Sequence, residues 1–195
     1  KKGNSQTQVW NPVALAMLQK DETKASRVFG NIYGEVAFMP ELKYRANFGV
    51  DIYSSSQDTF RPSTIPISNT EGNPESVPEA TAKTAKMYNW QTMSYNKEIH
   101  GHSLSALVGW TMQYQRDEST YAFANGFITN SVPTLNAGTV TRGNSHASEW
   151  ALLSGLARIQ YNYKGKYMLT GAIRADGASR FGKQNRWGWF PSVSA

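Results

Sequence analysis

The stretch LSGLARIQYNY-KGK-YMLTGAIRA, residues 153–175, decides the fold of this chain. Before the turn residues Lys164-Gly165-Lys166, small or apolar side chains at odd positions alternate with mostly polar ones at even positions. After the turn the alternation resumes: Leu169 and Ile173 fall on one face of the strand and Arg174 falls on the other. A period of two residues sends neighbouring side chains to opposite faces of a strand. The stretch therefore predicts a β-hairpin with one apolar and one polar face.

The same alternation recurs along the chain and predicts an all-β fold of seven strands. In the clearest case, Tyr44 to Ile52, apolar side chains alternate with Lys43, Arg45, Asn47 and Asp51. The predicted strands are Arg27–Phe38, Tyr44–Ile52, Tyr88–Ile99, Leu104–Tyr114, Glu149–Tyr163, Tyr167–Ala175 and Trp187–Ala195.

The connections between these strands alternate between short and long. The short ones are Met39–Leu42, Asn96–His102 and Lys164–Lys166, and the long polar ones are Ser54–Lys86, Arg116–Ser148 and Gly177–Arg186. The second long one carries a helical or apolar patch at Tyr121–Ile128. Short periplasmic turns and long outer loops are typical of outer-membrane barrels, whose strands have about ten residues in the bilayer. The pattern therefore predicts an antiparallel transmembrane β-barrel segment.

The composition excludes several other classes of protein. Cysteine is absent, so no disulfide framework or thiolate site is expected. The net charge of +6 is scattered without a basic run, which disfavours nucleic-acid binding. The longest apolar run, Val13–Leu18, is too short for a spanning helix. The polar N-terminus leads into no signal-peptide core.

The expected number of strands indicates that residues 1–195 are part of a larger barrel. Bacterial barrels usually have an even number of strands, and an open sheet edge in lipid leaves backbone groups unpaired. The last predicted strand also continues to Ala195 without a closing turn.

Three stretches resemble the SusC/RagA family of TonB-linked outer-membrane transporters: Tyr161–Tyr167, Ile173–Gly182 and Asn185–Ala195. Asn11–Leu15 and Arg27–Asn31 resemble the family more loosely. The resemblance implies a barrel of about 22 strands with a plugged lumen. It also implies a location in outer-membrane lipid, a SusD-like surface lipoprotein partner, energy from TonB, and an oligosaccharide or peptide substrate. The family's plug domain and TonB box have no counterpart in residues 1–195.

Two sets of residues are candidates for substrate contact. The polar strand faces offer lumen-lining side chains, namely Arg45, Gln113, Arg158, Gln160 and Arg174. The alternative for the arginines is pairing with barrel or plug carboxylates. The long loops offer aromatic rings for sugar stacking or for the lipoprotein partner, with simple loop packing as the alternative: Phe60, Tyr121, Phe123 and Phe127. Further aromatic side chains are expected in the interfacial girdles: Trp90, Trp110, Tyr114, Tyr161, Tyr163 and Tyr167.

No catalytic, cofactor or metal site is expected. His100-Gly101-His102 lacks a third ligand and is interpreted as a solvated turn. Gly143–Ala147 only partly matches a nucleophile elbow. The predicted function is TonB-dependent nutrient uptake. The alternatives are a soluble β-sandwich that binds carbohydrate and an adhesin barrel without transport.

Overall fold

A computed structural model describes residues 12–62 and 76–195. A short helix, α1 (Pro12–Leu18), precedes seven strands: β1 (Lys20–Met39), β2 (Leu42–Phe60), β3 (Ser76–Ile99), β4 (His102–Asn125), β5 (Thr139–Tyr163), β6 (Tyr167–Ala178) and β7 (Trp187–Ser194). The strands form one sheet in chain order, each beside its sequence neighbour. The predicted all-β, antiparallel architecture is therefore confirmed. Within the described residues, no helix has the length and apolarity needed to cross a membrane.

Two of the short connections are tight hairpin turns whose central residues have positive φ. These residues are His100 (52°) and Gly101 (79°) in one turn, and Lys164 (52°) and Gly165 (69°) in the other. Paired positive φ values match the right-handed twist of the flanking strands. The Lys164–Lys166 connection has the predicted bounds, whereas the first is confined to Pro40-Glu41 and the middle one to His100-Gly101.

Neighbouring hairpins are joined near these turns by backbone hydrogen bonds. The amide of Asn96 donates to the carbonyl of Glu41 at 2.9 Å, and the amide of Lys164 donates to the carbonyl of Gly101 at 2.7 Å. These bonds continue the strand pairing to the ends of the hairpins. They fix how far each hairpin is shifted along its neighbour.

Replacing Gly101 by alanine is expected to lower the free energy of unfolding by about 1–2 kcal/mol, the cost of a left-handed backbone for an L-residue. The added Cβ would also lie 3.1 Å from Cγ of Lys164. Gly155→Ala is the control, because a Cβ added at Gly155 would have open space around it, with nothing within 4 Å. Denaturant unfolding midpoints measure the difference, and equal midpoints for the two variants would count against the turn geometry.

The register of the last three strands is well defined. Tyr163 lies opposite Tyr167 and Ser154 opposite Asp176 across β5 and β6. Arg174 lies opposite Phe190 across β6 and β7. Directly opposed residues share a face, so the apolar and polar faces of these strands are continuous across the hairpin.

Strands β1 to β5 are all much longer than the sequence pattern predicted. β1 begins at Lys20, and the predicted loops 54–86 and 116–148 are wrong in their bounds. The strand β2 continues to Phe60, β3 begins at Ser76, β4 continues to Asn125 and β5 begins at Thr139. The patch at 121–128 is thus mostly strand. Strand pairing uses the backbone and needs no alternation of side chains, so extensions with polar residues on both faces carry no pattern. Residues 63–75 of the first loop, and Asn11, lie outside the described residues.

The chain divides into two compact units. Unit 1 holds the described residues of Lys1–Ser26, Ser54–Lys83 and Glu118–Ala147, and unit 2 consists of Arg27–Tyr53, Thr84–Asp117 and Ser148–Ala195. Unit 1 has a small core in which Phe60, Ala124 and Phe127 are buried against Leu135 and Ala137. The two phenylalanine rings meet edge to face, with centroids 5.7 Å apart.

Unit 2 leaves its apolar face exposed. Its exposed side chains include Val108, Trp110, Ile159, Leu169 and Ile173. A large exposed apolar face is unusual for a soluble monomer and marks a surface that contacts a membrane or another protein.

Candidate functional site on the polar face of unit 2

The face opposite these apolar side chains is called the polar face. It comprises the odd positions of β1, β2 and β4 and the even positions of β3, β5 and β6 within unit 2. Side-chain contacts across strands show that these positions share one side of the sheet: Arg27 with Asp51, Thr84 with Asp117, and Ser154 with Arg174.

A recess of about 220 Å³ opens on this face, lined by Arg27, Asp51, Tyr53, Thr84 and Lys86. Arg27 donates from Nε to Oδ1 of Asp51 at 2.8 Å and from Nη2 to Oδ2 at 2.9 Å. This two-bond geometry is the strongest form of arginine–carboxylate pairing. Asp51 is only 8% exposed, so the pair holds a largely buried carboxylate in place on this face.

A second carboxylate beside the recess is also fully engaged. Asp117 accepts from the Thr84 hydroxyl at 2.7 Å and from Nε2 of Gln115 at 2.8 Å. Lys86 is close enough to act on both Asp51 and Asp117 electrostatically. No ion pair of Lys86 within 4.0 Å is found in the described part of the chain.

The sequence pattern missed Thr84 and Lys86 as face residues because it assigned residues 54–86 to a loop. Residues 76–87 show no apolar alternation, since Lys83 and Lys86 fall on opposite faces. Asp51 was recognised as a carboxylate on a polar strand face, but its arginine partner was not.

Another polar cluster lies on β5 and β6. Nε of Arg174 donates to both carboxylate oxygens of Asp176, at 2.8 and 2.9 Å, and Nη2 is 3.4 Å from Oγ of the buried Ser154. Arg174 therefore pairs with a carboxylate of the same sheet, which is the alternative to substrate contact.

The other predicted lumen-lining residues lie on this face but do not form one cluster. The guanidinium carbon of Arg45 lies 4.4 Å from the ring centroid of Tyr33, a cation–π distance. Arg158 is exposed, while Gln113 and Gln160 are half-buried. Their contact with a substrate stays a prediction.

The four candidate loop aromatics fall into two groups. Phe60 and Phe127 are buried in the core of unit 1, at 8% and 4% exposure. Their rings pack inside the protein, as the alternative of simple loop packing predicts, and a ligand cannot reach them. Tyr121 and Phe123 are half-buried, and the guanidinium carbon of Arg142 lies 5.5 Å from the centroid of Phe123. Contacts of these two residues with a ligand stay a prediction.

One of the predicted girdle residues lies on the other face. Gly49 on the polar face would place a Cβ 3.6 Å from Tyr88, and Gly109 on the same face would place one 3.0 Å from Thr92. Trp90 lies between Tyr88 and Thr92 at the same parity, so it belongs to the polar face and the girdle prediction for it is wrong. The weak alternation of β3 gave no face assignment there.

At the turn end of unit 2, Glu41 and Lys97 form an ion pair, with Nζ 3.2 Å from Oε1. The pKa of Glu41 is lowered, first by a hydrogen bond from its own backbone and then by the Lys97 ammonium. Because the folded pKa lies below the unfolded one, the stabilisation is present above the ordinary glutamate pKa and is lost as the pH falls through the folded value.

Glu41→Gln is therefore expected to flatten the acid limb of the stability profile. Unfolding midpoints between about pH 6 and pH 3 should fall less steeply in the variant than in the parent, since the variant lacks the carboxyl group whose pKa is lowered by folding. Parallel profiles would show that the ion pair contributes nothing to folding.

A two-faced sheet of long antiparallel strands joined alternately by tight turns and longer connections is the architecture of a wall segment of a membrane β-barrel.

The chain is similar in sequence to TonB-dependent receptors. The chain is 34% identical over 188 residues to TonB-dependent receptor P3 of Formosa agariphila, covering 93% of this chain and 18% of the relative. It is 32% identical to TonB-dependent receptor P39 of the same organism, over 94% of the chain. It is 26% identical to TonB-dependent receptor SusC of Bacteroides thetaiotaomicron, again over 94% of the chain.

Solved structures agree on the fold. The RagAB peptide transporter superposes with a TM-score of 0.84 at 23% identity, covering 92% of this chain and 20% of that one. No protein-family model matches the chain. The chain is thus related to TonB-dependent receptors, SusC among them, and shares the fold of RagAB, so the resemblance read from its last third is confirmed. It spans about a fifth of the length of these relatives, and the β-sandwich alternative is not favoured.

Proposed function

We propose that this chain forms part of the barrel wall of an outer-membrane receptor that imports oligosaccharide or peptide nutrients with energy from TonB. The observation that carries the proposal is the 34% identity to a TonB-dependent receptor over 93% of the chain. The chain has no enzymatic role in this proposal and needs no cofactor or metal.

The two faces of unit 2 support the proposed location. Apolar side chains exposed on one face, such as Val108 and Ile159, would meet the hydrocarbon of the outer membrane. The polar face would then line the lumen, where water hydrates the ion pairs of Arg27 and Arg174. Residues 1–195 would be a portion of the barrel domain, with the plug and the TonB-contacting segment contributed by other parts of the receptor.

The family resemblance supplies the proposed partners, a SusD-like surface lipoprotein and TonB. RagAB is described as a peptide transporter and SusC as a TonB-dependent receptor. Among the lumen candidates, Arg158 best fits substrate contact: it is exposed, as Arg45 is, but Arg45 already lies against the ring of Tyr33. Arg174 is already engaged by Asp176. Arg45, Gln113 and Gln160 would add hydrogen bonds along the same wall.

Uptake in living cells tests this function. Cells that carry the receptor containing this segment are supplied with a labelled oligosaccharide pool or a labelled peptide pool, with and without TonB. We expect accumulation of one pool that is lost when either the receptor or TonB is deleted. Accumulation that is indifferent to both deletions would overturn the proposal, and the pool that accumulates identifies the substrate class.

A further inference from the structure

A group of basic and aromatic side chains lies at the end of unit 2 that carries the tight turns, with its rings on the apolar face and its lysines in the adjoining turn. We call His102, Tyr161, Tyr163, Lys164 and Lys166 the turn cluster. Nδ1 of His102 and the hydroxyl of Tyr161 share a hydrogen bond of 2.6 Å, and the His102 and Tyr163 rings have centroids 4.6 Å apart. Nζ of Lys164 lies 5.2 Å from the centroid of Tyr163.

The geometry of this group is fixed by the backbone. The amide of Lys164 donates to the carbonyl of Gly101 and the amide of Lys166 to that of Tyr163. The stem of Lys164 lies along Gly101, whose built Cβ would be 3.1 Å from its Cγ. The amino group of Lys164 is thus held beside the Tyr163 ring, and Lys166 follows two residues later in the same hydrogen-bonded turn.

The charge of the turn cluster is not neutralised within the protein. Lys164 and Lys166 are exposed, and neither has a carboxylate within 4.0 Å among the residues that the structure describes. By contrast, Lys97 at the same end is paired with Glu41. The cluster therefore presents cations without counter-ions.

Exposed apolar side chains continue directly from the cluster along the same face. Tyr167 lies opposite Tyr163 and Leu169 opposite Tyr161, and they are 69% and 53% exposed. Cations at the end of an exposed apolar strip match an amphiphile with an anionic head and a hydrocarbon tail.

We propose that the turn cluster binds the phosphate headgroup of an anionic phospholipid, with the acyl chain lying along Tyr167 and Leu169. The inference rests on the proposed membrane location, which puts these turns at the periplasmic leaflet. The two lysines select phosphatidylglycerol over phosphatidylethanolamine, because they repel the amine of a zwitterionic head. One lysine close to the lipid surface is expected to favour an anionic lipid over a zwitterionic one by about fivefold.

The test uses the whole receptor in vesicles of phosphatidylglycerol and phosphatidylethanolamine in a ratio of about 1:3. After gentle detergent extraction, mass spectrometry measures the ratio of the two lipids that remain bound. We expect phosphatidylglycerol to be enriched about fivefold or more over the bulk. We expect Lys164→Gln with Lys166→Gln to bring the ratio close to that of the bulk, and 0.5 M salt to weaken the enrichment in the parent.

Lys43→Gln is the matched control, because Lys43 lies near the same end on the polar face and should leave the enrichment unchanged. Heat-modifiable migration on a gel is checked for every variant, so that folding is scored separately. A folded parent without enrichment, or a folded double variant that keeps it, overturns the lipid site alone. A parent that does not insert in vesicles overturns both the lipid site and the proposed function.

Discussion

Replacing Val108 by arginine is expected to lower the free energy of unfolding of the membrane-inserted receptor by about 2–4 kcal/mol, the cost of arginine on a lipid-facing strand near the bilayer midplane. Val108 is 55% exposed on the apolar face. It lies about 20 Å along β4 from His102 at ~3.4 Å per residue, and a tilt of about 45° brings it close to the midplane. Urea unfolding in lipid vesicles measures the change.

Gln113→Arg is the control for this prediction. Gln113 belongs to the same strand but faces the polar side, where water hydrates an added guanidinium. Its free energy of unfolding should stay within about 0.5 kcal/mol of the parent value. Equal losses for the two variants would show that the apolar face does not meet lipid.

Replacing Phe127 by alanine should remove most of the stability of the small core in unit 1. Truncation of a buried phenylalanine costs about 3–5 kcal/mol, and here it also removes the edge-to-face contact with Phe60. Because the core is local, the effect should be seen as faster cleavage of the connection 126–138 by protease. A loss of about 3 kcal/mol corresponds to a rate increase of more than a hundredfold when opening limits access.

The adjacent residue provides the control. Ile128 is 96% exposed, so Ile128→Ala should leave the cleavage rate within about twofold of the parent. If the two variants were cleaved alike, the connection would not be held by the packing of Phe127.

The strands that have one apolar face were predictable from sequence because their side chains alternate. Leu153 to Tyr163 shows such alternation, and the turn at Lys164-Gly165 follows directly from its glycine and spacing. The extensions of β2, β3, β4 and β5 were not predictable in this way. Segments such as Ser54–Phe60 are paired through the backbone and carry polar residues on both faces, so no period of two marks them.

The polar face was predictable in part. Alternation alone placed Arg45, Arg158 and Arg174 on it, but it did not predict the contact of Arg45 with Tyr33 or of Arg174 with Asp176. The pairing of Arg27 with Asp51 joins residues on two strands and depends on register, which a single sequence does not specify. The burial of Phe60 and Phe127 depends in the same way on a contact between β2 and the segment after β4.

The cellular location and the heat-modifiability of the receptor that contains this segment test the membrane barrel most directly. Cells expressing it are separated into membrane and soluble fractions, and samples are run on a gel with and without boiling. We expect the protein in the outer-membrane fraction, where the unheated form migrates faster because the barrel stays folded in detergent. A folded, monomeric product in the soluble fraction, with the same mobility before and after heating, would contradict the membrane barrel.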